Sequence, residues 1–148
     1  MLIGSYTHSV DAKGRIFIPA KWREDLGDTI IVTRGLGGAE ENKCLFAMSM
    51  EAWREYASRF SQLPVTDQSA QDIRRITFAN ACDCELDKQG RILISQGLRE
   101  FAQLEREVTL IGVDSRVEIW SSENWERKNA IIAERCDKEL ERLAGLGI

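Results

Sequence analysis

Apolar and polar residues follow one pattern along the chain, and that pattern occurs twice. "YTHSV" alternates and "RIFI" runs nearly apolar, as short strands do, with "DAKG" between them as a hairpin turn. "AKWREDLG" follows as a short helix, with Pro19 just before its first turn and Gly27 as its stop. "TIIVT" and "CLFAM" read as a second hairpin around the loop "GLGGAEEN". Ser49 then caps a helix that places Trp53, Tyr56, Ala57 and Phe60 on one face before Pro64 ends it. The later part of the chain repeats this order with "CDCEL", "RILI", "VTLIGV", "VEIW" and a helix capped at Ser121 or Ser122. Between the two parts, "DQSAQDIRRITFANA" predicts a connecting helix begun at Asp67. In the last helix Trp125, Ile132, Cys136, Leu140 and Leu143 fall at helical spacing, which predicts an amphipathic helix against the core. A helix partly used against a neighbouring subunit is the alternative.

The resemblance between the halves extends to single residues. Aligning Asp11 with Asp87, an offset of 76, brings Gly14 onto Gly90, Arg15 onto Arg91, Ile16 onto Ile92 and Ile18 onto Ile94. Arg23-Glu24 then meets Arg99-Glu100. "LFAMSMEAW" matches "VEIWSSENW" at an offset of 72, the slippage falling in the glycine-rich loop, which the second half replaces with the shorter "VDSR". Each half offers about four short strands and one substantial helix, too little to close a core alone. The expectation is therefore an α+β unit made of two pseudo-symmetric β-rich repeats, each followed by helix.

The repeated D-x-x-G-R sequence has a local explanation for two of its residues. Asp at the start of a tight turn accepts hydrogen bonds from backbone N–H groups, which suits Asp11 and Asp87. Gly three residues later suits a positive φ, which suits Gly14 and Gly90. A turn has no need of arginine after its glycine, yet both copies carry one. An Asp–Arg pair across the turn would orient the guanidinium and leave donors for phosphate or a base edge. A solvated charge pair that only stiffens the turn is the alternative.

Composition adds limits. The chain of 148 residues has 43% hydrophobic and 30% charged residues, as a globular protein does. No apolar run approaches the roughly 20 residues that span a bilayer, and the N-terminus lacks a basic segment followed by an apolar core. No membrane partner and a cytoplasmic location are expected. Of the four cysteines, only Cys82 and Cys84 are close in sequence, and their spacing is not that of a C-x-x-C site. Free thiols are the expected state, with no metal and no cofactor; a zinc site using His8, the single histidine, is the alternative. No phosphate loop, nucleophile elbow or histidine–cysteine–acid set is present, which argues against an enzyme. The net charge of −4 argues against a nucleic-acid partner at first, but the charge is polarised. Residues 1–23 carry Lys13, Arg15, Lys21 and Arg23 against Asp11, a net +3, whereas residues 24–42 carry five acids against Arg34, a net −4.

The paired "LDxxGR"-type motif, with "EIW" near the end of the second half, is similar to that of the MraZ family of bacterial transcriptional regulators. The likeness runs from about Ser5 to Trp125, with Val10 standing where the family often has Leu, and Ser95 where the first copy has Pro19. It implies two domains of the SpoVT-AbrB swapped-hairpin type, at residues 5–50 and 81–124, and a C-terminal helix at 125–148. It further implies a nucleoid-associated protein that forms ring-shaped homo-oligomers. Its partner would be double-stranded promoter DNA with repeated elements before division and cell-wall genes. The family motif falls on Asp11, Arg15, Asp87 and Arg91.

Local charge then ranks the contacts. Residues 82–99 hold Lys88, Arg91 and Arg99 against Asp83, Glu85 and Asp87, so the second copy has no net charge to attract phosphate. Lys13 and Arg15 are expected to make the main DNA contacts, with Lys21 and Arg23 assisting on the phosphate backbone. The second copy, through Asp87 and Arg91, is expected to serve mainly the fold, the subunit contacts or a weaker auxiliary DNA contact, and Asp11, Gly14, Asp87 and Gly90 shape the turns. A ring-forming scaffold that binds no DNA is the competing class, favoured by the acidic total charge.

Overall fold

The computed structural model describes residues 1–37 and 39–148. It is a mixed α+β structure built on antiparallel pairing. The first half contributes β1 (Ser5–Ser9), β2 (Arg15–Phe17), α1 (Ala20–Leu26), β3 (Thr29–Arg34), β4 (Leu45–Ser49) and α2 (Met50–Ser61). After α3 (Gln68–Ala79), the second half contributes β5 (Cys82–Glu85), β6 (Arg91–Leu93), α4 (Gln96–Ala102), β7 (Glu107–Val113), β8 (Arg116–Ser121) and α5 (Ser122–Ala144). The helix starts follow their caps: Ser49, Asp67 and Ser121 each accept a hydrogen bond from a backbone N–H three residues on. Pro19 and Ser95 occupy the same position before α1 and α4. The proline makes no side-chain cap, while the Ser95 hydroxyl accepts from the Leu98 N–H, and both helices run seven residues.

Strand pairing departs from the sequence expectation in one respect. β1 and β2 form no local hairpin ladder, and neither do β5 and β6. Only the turns close locally, with the Asp11 N–H donating to the Arg15 carbonyl and the Asp87 N–H to the Arg91 carbonyl. The strands instead pair across the halves: β1 with β7, β5 with β3, and β2 with β6. Six strands form one sheet in the order β1-β7-β8-β4-β3-β5, and β2 and β6 form a separate two-stranded ribbon. Hydrophobic alternation decides which face of a strand is buried but is silent about its partner.

A pseudo-two-fold relates the two halves and passes between strand pairs. In the ribbon Ile16 lies opposite Ile92, its own repeat partner, with Arg15 opposite Leu93 and Phe17 opposite Arg91. At the centre of the sheet, β4 pairs with β8 so that Phe46 lies opposite Glu118, flanked by Leu45 with Ile119 and Ala47 with Val117. The main core fills the space between sheet and ribbon, where Ile16, Ile18, Ile30, Ile92, Ile94 and Ile119 are at most 1% exposed. Trp22 and Leu26 of α1 and Leu98 of α4 close its sides.

A smaller core lies on the opposite sheet face, where Phe46, Met48 and Trp120 pack under Trp53 and Tyr56 of α2 and Trp125 of α5. Glu118 enters this layer as a carboxylate, and it is paired there. Arg116 Nη2 donates to it at 2.7 Å, Trp120 Nε1 at 3.1 Å, and the Arg116 guanidinium lies 4.3 Å from the Phe46 ring centroid. This accounts for "EIW": the acid and the tryptophan two residues on share one face and one hydrogen bond. Helix α3 docks on β3 through a buried bond from the Thr33 hydroxyl to the Thr77 carbonyl, 2.8 Å.

Helix α5 packs only over its first turns, contrary to the expectation of a core-facing helix along its length. Trp125 meets Trp120 at 5.4 Å between ring centroids, and Lys128 and Arg135 reach Glu41. From Ile132 to Arg142 every side chain is exposed. The cause is length, because 23 residues of helix extend about 35 Å, whereas strands of six or seven residues extend only about 20–24 Å. No helix among the described residues is long and apolar enough to cross a membrane.

The four cysteines are free thiols, with Cys44 and Cys84 buried and Cys136 exposed. Burial pushes both Cys44 and Cys84 up to about 12, so they remain protonated packing groups. No group of three or more His, Cys, Asp and Glu side chains is placed to hold a metal among the described residues.

The Ile16–Ile92 contact gives a direct test of the cross-half core. Ile16→Ala and Ile92→Ala should each cost about 2–5 kcal/mol in chemical denaturation. Because the two side chains face each other, the double variant should cost less than the sum of the single ones. Additive costs would mean that the halves do not share this core.

Candidate nucleic-acid interface

Each D-x-x-G-R turn is built by its aspartate. Asp11 Oδ1 accepts from the backbone N–H groups of Lys13 and Arg15, both at 2.9 Å, and Oδ2 accepts from Arg15 Nε at 2.6 Å. Asp87 repeats the arrangement with the N–H groups of Gln89 and Arg91 at 2.9 Å and with Arg91 Nε at 3.0 Å. Gly14 and Gly90 sit at φ of 91° and 80°, a conformation that disfavours a side chain. The Arg15 backbone N–H is the first cause that holds Asp11 down to about 2, with the Arg15 side chain and the Lys13 N–H adding to it against partial burial. Asp87 is lowered by the same set, led by the Arg91 backbone N–H.

Cross-half pairing brings the turns, 76 residues apart in sequence, onto one surface. The ladder continues past the ribbon strands, with the Ile18 N–H donating to the Gly90 carbonyl at 2.8 Å and the Ile94 N–H to the Gly14 carbonyl at 3.0 Å. Arg15 and Arg91 converge on a single atom. Arg15 Nε lies 2.6 Å and Arg91 Nη1 3.7 Å from Asp11 Oδ2. Strand alternation then places Arg15, Phe17, Arg91 and Leu93 together on the outer ribbon face, away from buried Ile16 and Ile92. Phe17 and Leu93 are 43% and 56% exposed there, and the Arg91 guanidinium lies 5.9 Å from the Phe17 ring centroid.

The copies are not equivalent. Arg91 is held by two carboxylates and its side chain is 19% exposed, against 31% for Arg15. Lys13 is exposed at the tip of the first turn and Lys21 on α1. Lys88 is exposed on the second turn, one repeat position earlier than Lys13, and the count of local acids hid it.

Arg23 is placed differently from a plain phosphate contact. Its Nε donates to the Ile18 carbonyl at 2.9 Å, and its guanidinium lies where a Cβ on Gly90 would sit. Arg99 does the same in the other half, donating from Nε to the Ile94 carbonyl at 3.0 Å and covering Gly14. Each arginine thus ties a helix of its own half to the turn of the other. Arg99 was legible only through its alignment with Arg23.

With the geometry in place, comparison with known proteins decides the family. A family model described as "MraZ protein, putative antitoxin-like" matches residues 1–76 and again residues 77–145. The chain belongs to the MraZ family. It is 47% identical over 148 residues to the transcriptional regulator MraZ of Caldicellulosiruptor saccharolyticus, covering all of both chains. The same named protein of Acetivibrio thermocellus is 46% identical over the full length. That of Thermoanaerobacter sp. strain X514 is 49% identical over 126 residues, 85% of each chain. The two family matches divide the chain within α3, and each match contains one D-x-x-G-R turn of this MraZ-family chain.

The aspartate geometry predicts a titration. Because the folded value is depressed, the contribution of Asp11 to stability is complete above the ordinary carboxylate value of about 3.9. It is lost as pH falls through about 2. Carboxyl-detected NMR should therefore place the Asp11 midpoint near 2. Arg15→Ala should raise it only part of the way to the ordinary value, since the Arg15 backbone N–H survives. A full return would mean that the side-chain pair dominates.

Proposed function

We propose that this MraZ-family chain is a transcriptional regulator that binds double-stranded DNA in a sequence-specific manner, using the outer face of the β2–β6 ribbon and the two turns beside it. The observation that carries this reading is the convergence of Arg15 and Arg91 on Asp11, which sets two oriented guanidinium groups side by side on the outer ribbon face. A two-stranded ribbon fits the major groove, about 12 Å wide, and arginine is the commonest reader of guanine there. Lys13 and Arg15 make the main contacts, and Lys21 contributes to the phosphate backbone. Arg23 acts on that surface through the Gly90 turn as well as by its charge. Arg91 is the auxiliary contact.

The exchange of first strands between the halves supports reading residues 5–50 and 81–124 as two SpoVT-AbrB-type swapped-hairpin domains, with residues 125–148 as an added helix. The relatives' name, transcriptional regulator, supports a role at promoters. Repeated elements before division and cell-wall genes would suit a homo-oligomeric ring, whose avidity offsets the small footprint of each copy. The protein would then work in the cytoplasm at the nucleoid. A ring scaffold without DNA is the second reading, favoured by the exposed apolar side chains of α5.

Salt separates the two. Affinity for DNA taken from upstream of the protein's own gene should fall steeply between two salt concentrations, because phosphate contacts release counterions. A scaffold would show no specific binding at either. Arg15→Ala, checked for intact assembly, should lose about 1–3 kcal/mol per contact. Lys13→Ala should weaken all sequences alike and lower the salt slope by about 1. If Arg91→Ala abolished binding while Arg15→Ala left it unchanged, the ranking of the two copies would be wrong.

A further inference from the structure

We propose that Arg34 and Lys43, held against the ring of Phe101, form a binding site for a dianionic phosphate group, apart from the β2–β6 ribbon. Among the described residues six arginines are half-buried: Arg15, Arg23, Arg34, Arg91, Arg99 and Arg116. Five of them set Nε on an acceptor. Arg15, Arg91 and Arg116 donate it to carboxylates, and Arg23 and Arg99 donate it to backbone carbonyls. Arg34 is the exception. Its Nε is shut off from solvent and meets no acceptor, and no carboxylate pairs with its guanidinium among the described residues. A buried polar group left unpaired is costly, and in a folded protein it points to a partner still to be supplied, a water or an ion.

Strand register brings a second cation to the same place. Arg34 ends β3 on the side that carries Ile30 and Val32 into the main core, and its partner on β4 is Leu45. The ladder runs one step further, with the Gly35 N–H donating to the Cys44 carbonyl at 2.8 Å. Lys43, two residues before Leu45, is therefore a diagonal neighbour of Arg34 on one face. Phe101 of α4 covers both. The guanidinium carbon of Arg34 lies 4.5 Å and Lys43 Nζ 5.7 Å from its ring centroid. The ring attracts each cation but neutralises neither. Glu40 answers Lys43 at 3.0 Å from a side chain that is 75% exposed, and Glu41 is taken up by Lys128 and Arg135. Arg34 is left with its charge unbalanced. Its planar fork suits an oxyanion held by two oxygens, and Lys43 can turn to the same group as Glu40 swings into water. Inorganic phosphate or a phosphomonoester carries close to two negative charges at neutral pH and so balances both cations. A carboxylate or a phosphodiester brings only one.

The test follows thermal unfolding of the full-length chain while inorganic phosphate replaces chloride at fixed ionic strength. The range is low millimolar, below the concentrations at which phosphate stabilises folded proteins in general. Tm should rise and then level off as the site fills. Arg34→Gln should abolish the rise. Lys43→Gln should weaken the apparent affinity about tenfold, the loss expected for one charge-assisted contact. Glu40→Gln removes the competing carboxylate and should tighten binding, an outcome that a merely structural role for this cluster would not produce. Should Arg34→Gln fail to fold, the opposite effects of the Lys43 and Glu40 variants still decide. Dimethyl phosphate, with its single charge, should act far more weakly than phosphate. A Tm indifferent to phosphate, or a rise that survives Arg34→Gln, would overturn the site. An equal response to dimethyl phosphate would overturn the dianion and leave a phosphodiester such as the DNA backbone as the occupant. The readout needs neither DNA nor assembly, so it stands or falls separately from the regulator reading.

Discussion

Ile16 against Ile92 is the contact on which most of this structure depends. β2 and β6 are three residues long, and a two-stranded ribbon of that size is not stable in water by itself. It persists because the inner side chain of each strand is buried in the core shared with the sheet, with 0% and 1% exposure. Once the two strands are held together, the rest follows geometrically. Ile18 and Ile94 reach across to the glycine carbonyls, the turns come to lie side by side, and the outer residues have no choice of face. The proximity of Arg15 and Arg91 is thus a result of core packing. Neither turn could produce it alone.

The glycines of the two turns meet two separate demands. Their positive φ lets the chain reverse within the aspartate's hydrogen bonds, and their missing side chain leaves room for an arginine from the opposite half. Replacement by alanine would therefore be strained in the backbone and crowded in space. Arg23 and Arg99 exploit that room to connect α1 to the second turn and α4 to the first. A surface whose loops are already fixed in this way loses less entropy when it binds a rigid partner.

Much of this was legible in the chain. The repeat, the element order and the caps at Ser49 and Asp67 all follow from local chemistry, and of the two serines open for the last cap the structure uses Ser121. The strand partners were not legible, because "YTHSV" and "RIFI" show which side chains turn inward without naming what lies beside them. Arg23 looked like one more surface cation because its value to the fold rests on a glycine 67 positions away in the chain. Lys88 was obscured by counting charge along the sequence, when the surface is assembled from both halves. The end of α5 misled for a different reason. An apolar stripe at helical spacing reads the same whether it covers its own sheet or projects beyond it.

The cross-half pairing also bears on how the protein behaves when scarce. If the two exchanging units were separate chains, the ribbon would exist only above the dissociation constant of the pair, and each free unit would expose Ile16 or Ile92 to water. Here one polypeptide carries both, so each half meets the other at an effective concentration set by the connecting segment rather than by the number of molecules in the cell. The paired arginines are therefore present in every folded copy at any dilution. Only what is built above the single chain is left to respond to expression level.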